Sequence, residues 1–143
     1  MIALASDHGG YALKQEIMTY LDQKGLEYRD YGCYDEKSCD YPDYGIPAAK
    51  AVASGECECG ILVCGTGIGM SMAANKVPGV RAALCGDCFS AEMTREHNDA
   101  NVLALGARVV GAGLALKITE IFLETPFSNE ERHLRRIRKL EEE

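Results

Sequence analysis

The apolar run Gly60-Ile61-Leu62-Val63 leads straight into Cys64-Gly65-Thr66-Gly67-Ile68-Gly69-Met70, a thiol followed by a glycine-rich turn that opens a helix. Backbone N–H groups in such a turn, reinforced by the positive end of the helix dipole, favour a negative charge placed against them. A cysteine at this point is expected to ionise more readily than a free one. The chemistry suggested is proton transfer through an oxyanion, with Cys64 as base or nucleophile and the amides of Gly65, Thr66, Gly67, Ile68 and Gly69 as the cradle. Thr66 either caps the helix or donates to a substrate oxygen. An inert core thiol is the plainer reading of Cys64, since cysteine is often buried.

His8 and His97, two of the three histidines, stand beside Asp7 and Asn98. Imidazole titrates near neutral pH and suits proton transfer to and from oxygen. Asp7 is a turn residue, an orienting partner for His8 or an acceptor for a ligand hydroxyl. Arg132, Arg135 and Arg136 follow i, i+3, i+4 spacing and share one helix face. That face is either solvated and balanced by the neighbouring glutamates or a fork for phosphate oxygens, and Arg108 is a further phosphate candidate.

Two other patterns are weaker. A G-x-G-x-x-G fingerprint would need glycine at position 70, which is Met, and no acidic residue ends the following strand, so a compact anion hole fits better than a dinucleotide site. Cys57-Glu58-Cys59 with Cys85-Gly86-Asp87-Cys88 could form a zinc site, but the spacing is irregular. Small half-buried thiols are the preferred reading, and no metal and no cofactor are expected.

These residues need a scaffold, and strand and helix patterns alternate along the whole chain. Strands are expected over Ile2–Ser6, Glu27–Tyr31, Ile61–Val63, Val80–Leu84 and Val102–Leu105. Leu13, Ile17 and Leu21 mark a helix stopped by Gly25, and a polar loop from Gly32 to Tyr44 precedes a helix over Ile46–Ser54. Further helices are expected from Gly69 to Lys76, from a Ser90 cap to about His97, and around Leu114, Ile118, Ile121 and Phe122. A last one follows an S-x-x-E capping box at Ser128 and Glu131. Alternation of this kind implies one domain over residues 1–143, with a five-stranded parallel sheet covered on both faces and ligands at the carboxyl ends of its strands. Asp7-His8, Cys64 and His97-Asn98 are all expected near that edge.

A chain of 143 residues with 47% hydrophobic content can bury its own core. A net charge of −7 argues against nucleic acid and anionic membranes as partners, while leaving room for a small phosphorylated ligand. The start is too short and too soon polar for a signal sequence, and no apolar run is long enough to span a membrane. The odd number of cysteines, seven, fits reduced thiols in the cytoplasm.

In order, Ser6-Asp7-His8-Gly9-Gly10, Asp40-Tyr41-Pro42, Cys64 to Met70, Ala73-Ala74-Asn75-Lys76, His97 to Leu103, and Arg132-His133 with Arg136 span nearly the whole chain. Together they resemble the type B ribose-5-phosphate isomerase family, which also includes galactose-6-phosphate and allose-6-phosphate isomerases. The resemblance implies a three-layer α/β/α Rossmann-like fold with an extended C-terminal helix. It also implies cofactor-independent interconversion of D-ribose 5-phosphate and D-ribulose 5-phosphate through an enediolate. By that likeness Cys64 moves the proton between C2 and C1, and His97 assists ring opening. Asp7, His8 and Asn98 bind hydroxyls, and Arg108, Arg132 and Arg136 hold the phosphate. Members are dimers or higher assemblies whose final helix crosses to the neighbour, so the partner expected is a second copy of the chain, with the site at the interface. A hexose-phosphate isomerase and a non-catalytic sugar-phosphate sensor are the alternatives.

Overall fold

Every residue of the apolar runs Ile2–Ser6 and Val102–Gly106 is buried, as strands covered on both faces must be. The computed structural model describes residues 1–142. Its strands are β1 (Ile2–Ser6), β2 (Tyr28–Asp30), β3 (Cys59–Cys64), β4 (Ala82–Leu84) and β5 (Val102–Gly106). They alternate with α1 (Tyr11–Lys24), α2 (Pro42–Ala53), α3 (Ile68–Asn75), α4 (Cys88–Asn98) and α5 (Ala112–Glu124), and α6 (Glu131–Glu141) closes the chain. All strand pairs are parallel, in the order β2-β1-β3-β5-β4. Helices α1 and α5 cover one face, with α4 beside α5 and α6 against α4, while α2 and α3 cover the other.

One core face joins Leu13, Ile17 and Leu21 of α1 to Leu4, Ile61, Val63, Leu103 and Leu105 of the sheet and to Ile118 and Phe122 of α5. The opposite face is built from smaller side chains, with Ala48, Ala49 and Val52 of α2 and Met70 and Ala74 of α3 against Ala3, Ala5, Leu62 and Ala104. Cys57 belongs to this second face and Cys85 to the first, so the sheet divides the four thiols of the zinc alternative. No helix among the described residues is long and apolar enough to cross a membrane.

Three helix starts differ from the sequence expectation. Pro42 begins α2 four residues before Ile46, because its fixed φ and missing N–H suit a first turn. Asp87, not Ser90, caps α4, its carboxylate accepting the Ser90 amide at 2.7 Å and the Ser90 hydroxyl at 2.9 Å. The same two bonds, backbone first, hold the Asp87 carboxyl below its usual pKa. The Ser128-Glu131 box does not form. Glu130 is the N-cap of α6, the Ser128 hydroxyl accepts the Glu130 amide at 3.2 Å, and the Glu131 carboxylate turns to Arg138 at 2.9 Å.

Two asparagines from the resembling motifs do structural work around β4, the edge strand. Asn75 pairs with both backbone groups of Ala82, at 2.8 and 3.0 Å, and Asn101 binds the Arg81 amide at 2.8 Å and the Gly79 carbonyl at 3.0 Å. Side-chain amides here occupy edge groups that would otherwise invite another strand.

The turn after β3 tolerates no side chain at Gly67. Its φ is +80°, and a Cβ there would lie 2.5 Å from Leu84 Cδ1 and 2.9 Å from the Leu105 carbonyl carbon. Gly67→Ala is expected to destabilise the protein by about 1–3 kcal/mol in urea unfolding. An unchanged unfolding midpoint would show that the turn is not held by this packing.

Candidate active site

Cys64 ends β3 opposite Gly106 of β5, and its side chain is buried. The sulfur accepts the Gly67 N–H at 3.1 Å, which places it against the amide nest. Since that hydrogen points at the sulfur lone pairs, the thiol's own hydrogen must point elsewhere. Gly67 is the N-cap of α3, and the Thr66 hydroxyl, one residue earlier, accepts the Ile68 amide at 3.2 Å while keeping its own hydrogen to donate. Two amides of the turn are therefore used within it. Those of Gly65, Thr66 and Gly69 have no acceptor among the described residues.

Burial first, and then a neighbouring carboxylate, pushes the Cys59 and Cys85 thiols up to about 11. Both stay protonated at neutral pH.

Around Cys64 the sheet gathers the residues that follow β1 and β5. The Asp7 amide donates to Val63 O at 3.2 Å, and its carboxylate accepts the Gly10 amide at 3.0 Å, so Asp7 shapes the turn into α1. The His8 Nδ1 accepts the Cys39 amide at 3.2 Å. Arg108 donates its amide to Gly65 O at 2.9 Å, and its guanidinium lies across Gly9 and Gly65, within 3.2–3.5 Å of where their Cβ atoms would be. Tyr41, which the sequence reading did not assign, lies over Gly69, and a Cβ there would meet the ring at 2.8 Å. The sequence hint was its place in the Asp40-Tyr41-Pro42 motif of the resemblance.

His97 and Asn98 do not join this group. They end α4 and precede β5, so they lie at the amino edge of the sheet, where the Asn98 carbonyl accepts Arg81 Nε at 3.0 Å. From Val102, paired with Gly60, to Gly106, paired with Cys64, the sheet runs four residue steps, roughly 13 Å. The expectation that His8 and His97 share one edge is thereby corrected: a parallel sheet sends strand ends one way and the ends of the crossover helices the other.

His97 instead heads a second cluster. Its ring lies 4.5 Å from that of buried His133, whose Nδ1 is 2.6 Å from the Ser128 hydroxyl. Arg132 and Arg136 act on the same imidazole. Arg132 pairs with Glu130 at 2.6 Å, whereas Arg136 has no ion-pair partner among the described residues. A cavity of about 700 Å³ also opens at the amino edge, but Arg81 and Arg95 on its wall are committed to backbone carbonyls, Asp99 and Glu141.

Residues 2–140 match the family described as ribose/galactose isomerase. The chain belongs to that family. Ribose-5-phosphate isomerase B of Escherichia coli is 45% identical over 136 residues, covering 95% of this chain and 91% of that protein. Among solved structures, ribose-5-phosphate isomerase B of Clostridium thermocellum superposes with a TM-score of 0.97 at 54% identity, covering 99% of this chain and 95% of that one. The Thermotoga maritima ribose 5-phosphate isomerase superposes with a TM-score of 0.96 at 50% identity, covering 99% and 97%. The ribose/galactose isomerase family thus accounts for the whole fold, including α6.

Burial above all, then His97 and Arg132, holds the His133 imidazole below its ordinary pKa of 6.5. Above pH 6.5 the ring is neutral in folded and unfolded chains alike, and its contribution to stability is fully present. As pH falls further the unfolded chain binds the proton first, and stability is lost through the lower folded value. Acid unfolding that sets in below this pH is expected to be weakened in His133→Asn. Identical pH profiles of thermal stability for both proteins would remove His133 as the cause.

Proposed function

We propose that the chain interconverts D-ribose 5-phosphate and D-ribulose 5-phosphate, without a cofactor, through an enediolate. The observation that carries this reading is the Gly67 N–H aimed at Cys64 Sγ within a turn where the amides of Gly65, Thr66 and Gly69 have no acceptor among the described residues. Cys64, as thiolate, takes the proton from C2. The C–H electrons form the C1–C2 double bond, and the carbonyl electrons move onto O1. Cys64 then returns the proton to C1 while the hydroxyl hydrogen on O2 passes to O1, leaving the ketone at C2. Amides of the turn and the Thr66 hydroxyl stabilise the oxyanion, a contribution of about 3 kcal/mol per donor where such groups have been removed elsewhere.

The sugar must first open its ring, which needs a proton moved from the anomeric hydroxyl to the ring oxygen, and His97 performs this step. Asp7, His8 and Asn98 bind hydroxyls, and Arg108, Arg132 and Arg136 hold the phosphate. Because Cys64 and His97 lie at opposite edges of one sheet, the complete site is formed by two copies, each giving its amino-edge cluster to the other's carboxyl edge. The exposed apolar side chains of Met72, Phe89 and Val109, 61, 72 and 67% accessible, lie on the Cys64 side and support an interface there. Twofold symmetry makes two equivalent sites.

Cys64→Ala is expected to abolish ketose formation from ribose 5-phosphate while retaining ligand binding, and near-normal kcat would remove Cys64 from the mechanism. Arg136→Ala should raise KM mainly, since it removes a charge-assisted contact. Mixing Cys64→Ala with His97→Ala protein tests the shared site. Random assembly restores one intact site in half of the dimers, about a quarter of wild-type activity. No recovery on mixing, with subunit exchange demonstrated, would place Cys64 and His97 in one chain's site.

A further inference from the structure

Lys14 sits within the apolar stripe of α1 and is wholly buried. Its ammonium donates to Asp30 Oδ1 at 2.7 Å and to the Cys33 carbonyl, with the rings of Tyr11 and Tyr34 at 5.5 and 5.6 Å. A buried cation needs such partners, so its position is tightly defined. Asp30 Oδ1 also accepts the Gly32 amide at 2.9 Å, and Cys33 N–H donates to Ser6 O at 2.7 Å. Lys14 thus ties the start of the 31–41 loop to α1, while backbone bonds tie the same stretch to Ser6 at the end of β1.

At the far end of that loop the Cys39 amide meets His8 Nδ1. A backbone N–H can only donate. Nδ1 must therefore accept, and in the neutral ring the hydrogen resides on Nε2.

We propose that Lys14 is a positioning residue for His8: it anchors the 31–41 loop, whose Cys39 amide locks His8 as the Nε2–H tautomer and so makes it a hydrogen-bond donor to a substrate oxygen. The tautomer follows from the geometry alone, and the donor role rests on the isomerase reading above. Nothing in the apolar spacing of α1 announced this, beyond a lysine placed next to Leu13 on the buried face.

The test is long-range ¹H–¹⁵N correlation of the histidine rings in substrate-free protein at mildly alkaline pH, joined to kinetics with ribose 5-phosphate. Wild-type His8 is expected as the Nε2–H tautomer. Lys14→Met should bring in the Nδ1–H form and lower kcat/KM about 10- to 100-fold, as small misplacements of a positioned group do. Lys14→Met/Asp30→Asn, which also removes the orphaned carboxylate charge, should do the same if the single variant folds poorly. A wild-type Nδ1–H tautomer, or unchanged His8 signals in a folded variant, would overturn the proposal. If the tautomer responds as expected while the wild-type protein leaves ribose 5-phosphate unchanged, the anchoring stands and the isomerase reading falls.

Discussion

Parallel pairing of β1 with β3 is the constraint on which the site depends. The chain leaves β1 outward toward β2 and leaves β3 in the other direction toward β4 and β5, so the loops after these two strands diverge and open a crevice between them. Asp7 and His8 follow one strand and Cys64 the other, and the Asp7 amide on Val63 O holds the two walls in register. Close approach at that crevice is possible because glycines line it. A Cβ on Gly10 would lie 2.4 Å from Val63 O, and one on Gly106 would lie 2.5 Å from Thr66 O. Their smallness draws the turn, β5 and α1 together, and the sulfur and amides acquire their spacing from that contact.

The same topology carries a cost. The end of a crossover helix arrives at the opposite edge of the sheet, and there His97 meets His133, with Arg132 and Arg136 of α6 beside the same imidazole. One chain therefore holds the thiol and its amides at one edge, and the His97 and His133 imidazoles with the guanidinium groups of α6 at the other. In the two-copy site proposed above, a twofold axis that brings one pair of these clusters together also brings the second.

Much of the fold was legible in the sequence. Each strand and helix was anticipated, since Leu13, Ile17 and Leu21 or Ile2–Ser6 carry their periodicity openly. Helix starts were less so. Ser90 and Ser128 both look like caps, but Asp87 and Glu130 hold those positions, because the cap goes to whichever residue the preceding loop leaves in an extended conformation. The role of Lys14 was illegible for a different reason: its partners come from β2 and the following loop, up to 19 residues away, and no local pattern encodes them.

The sequence by itself determined the order of elements and the thiol beside a glycine-rich turn, which depend on neighbours a few residues apart, and the family, which shows in the order of short motifs along the chain. Tertiary structure decided which candidates share an edge: Cys64 with His8 and Arg108, and His97 with His133 and the arginines of α6. The physical reason is that edge assignment in a parallel sheet is set by the direction of whole strands, so a residue's side of the sheet follows from whether it leaves a strand or a crossover helix and not from its own type.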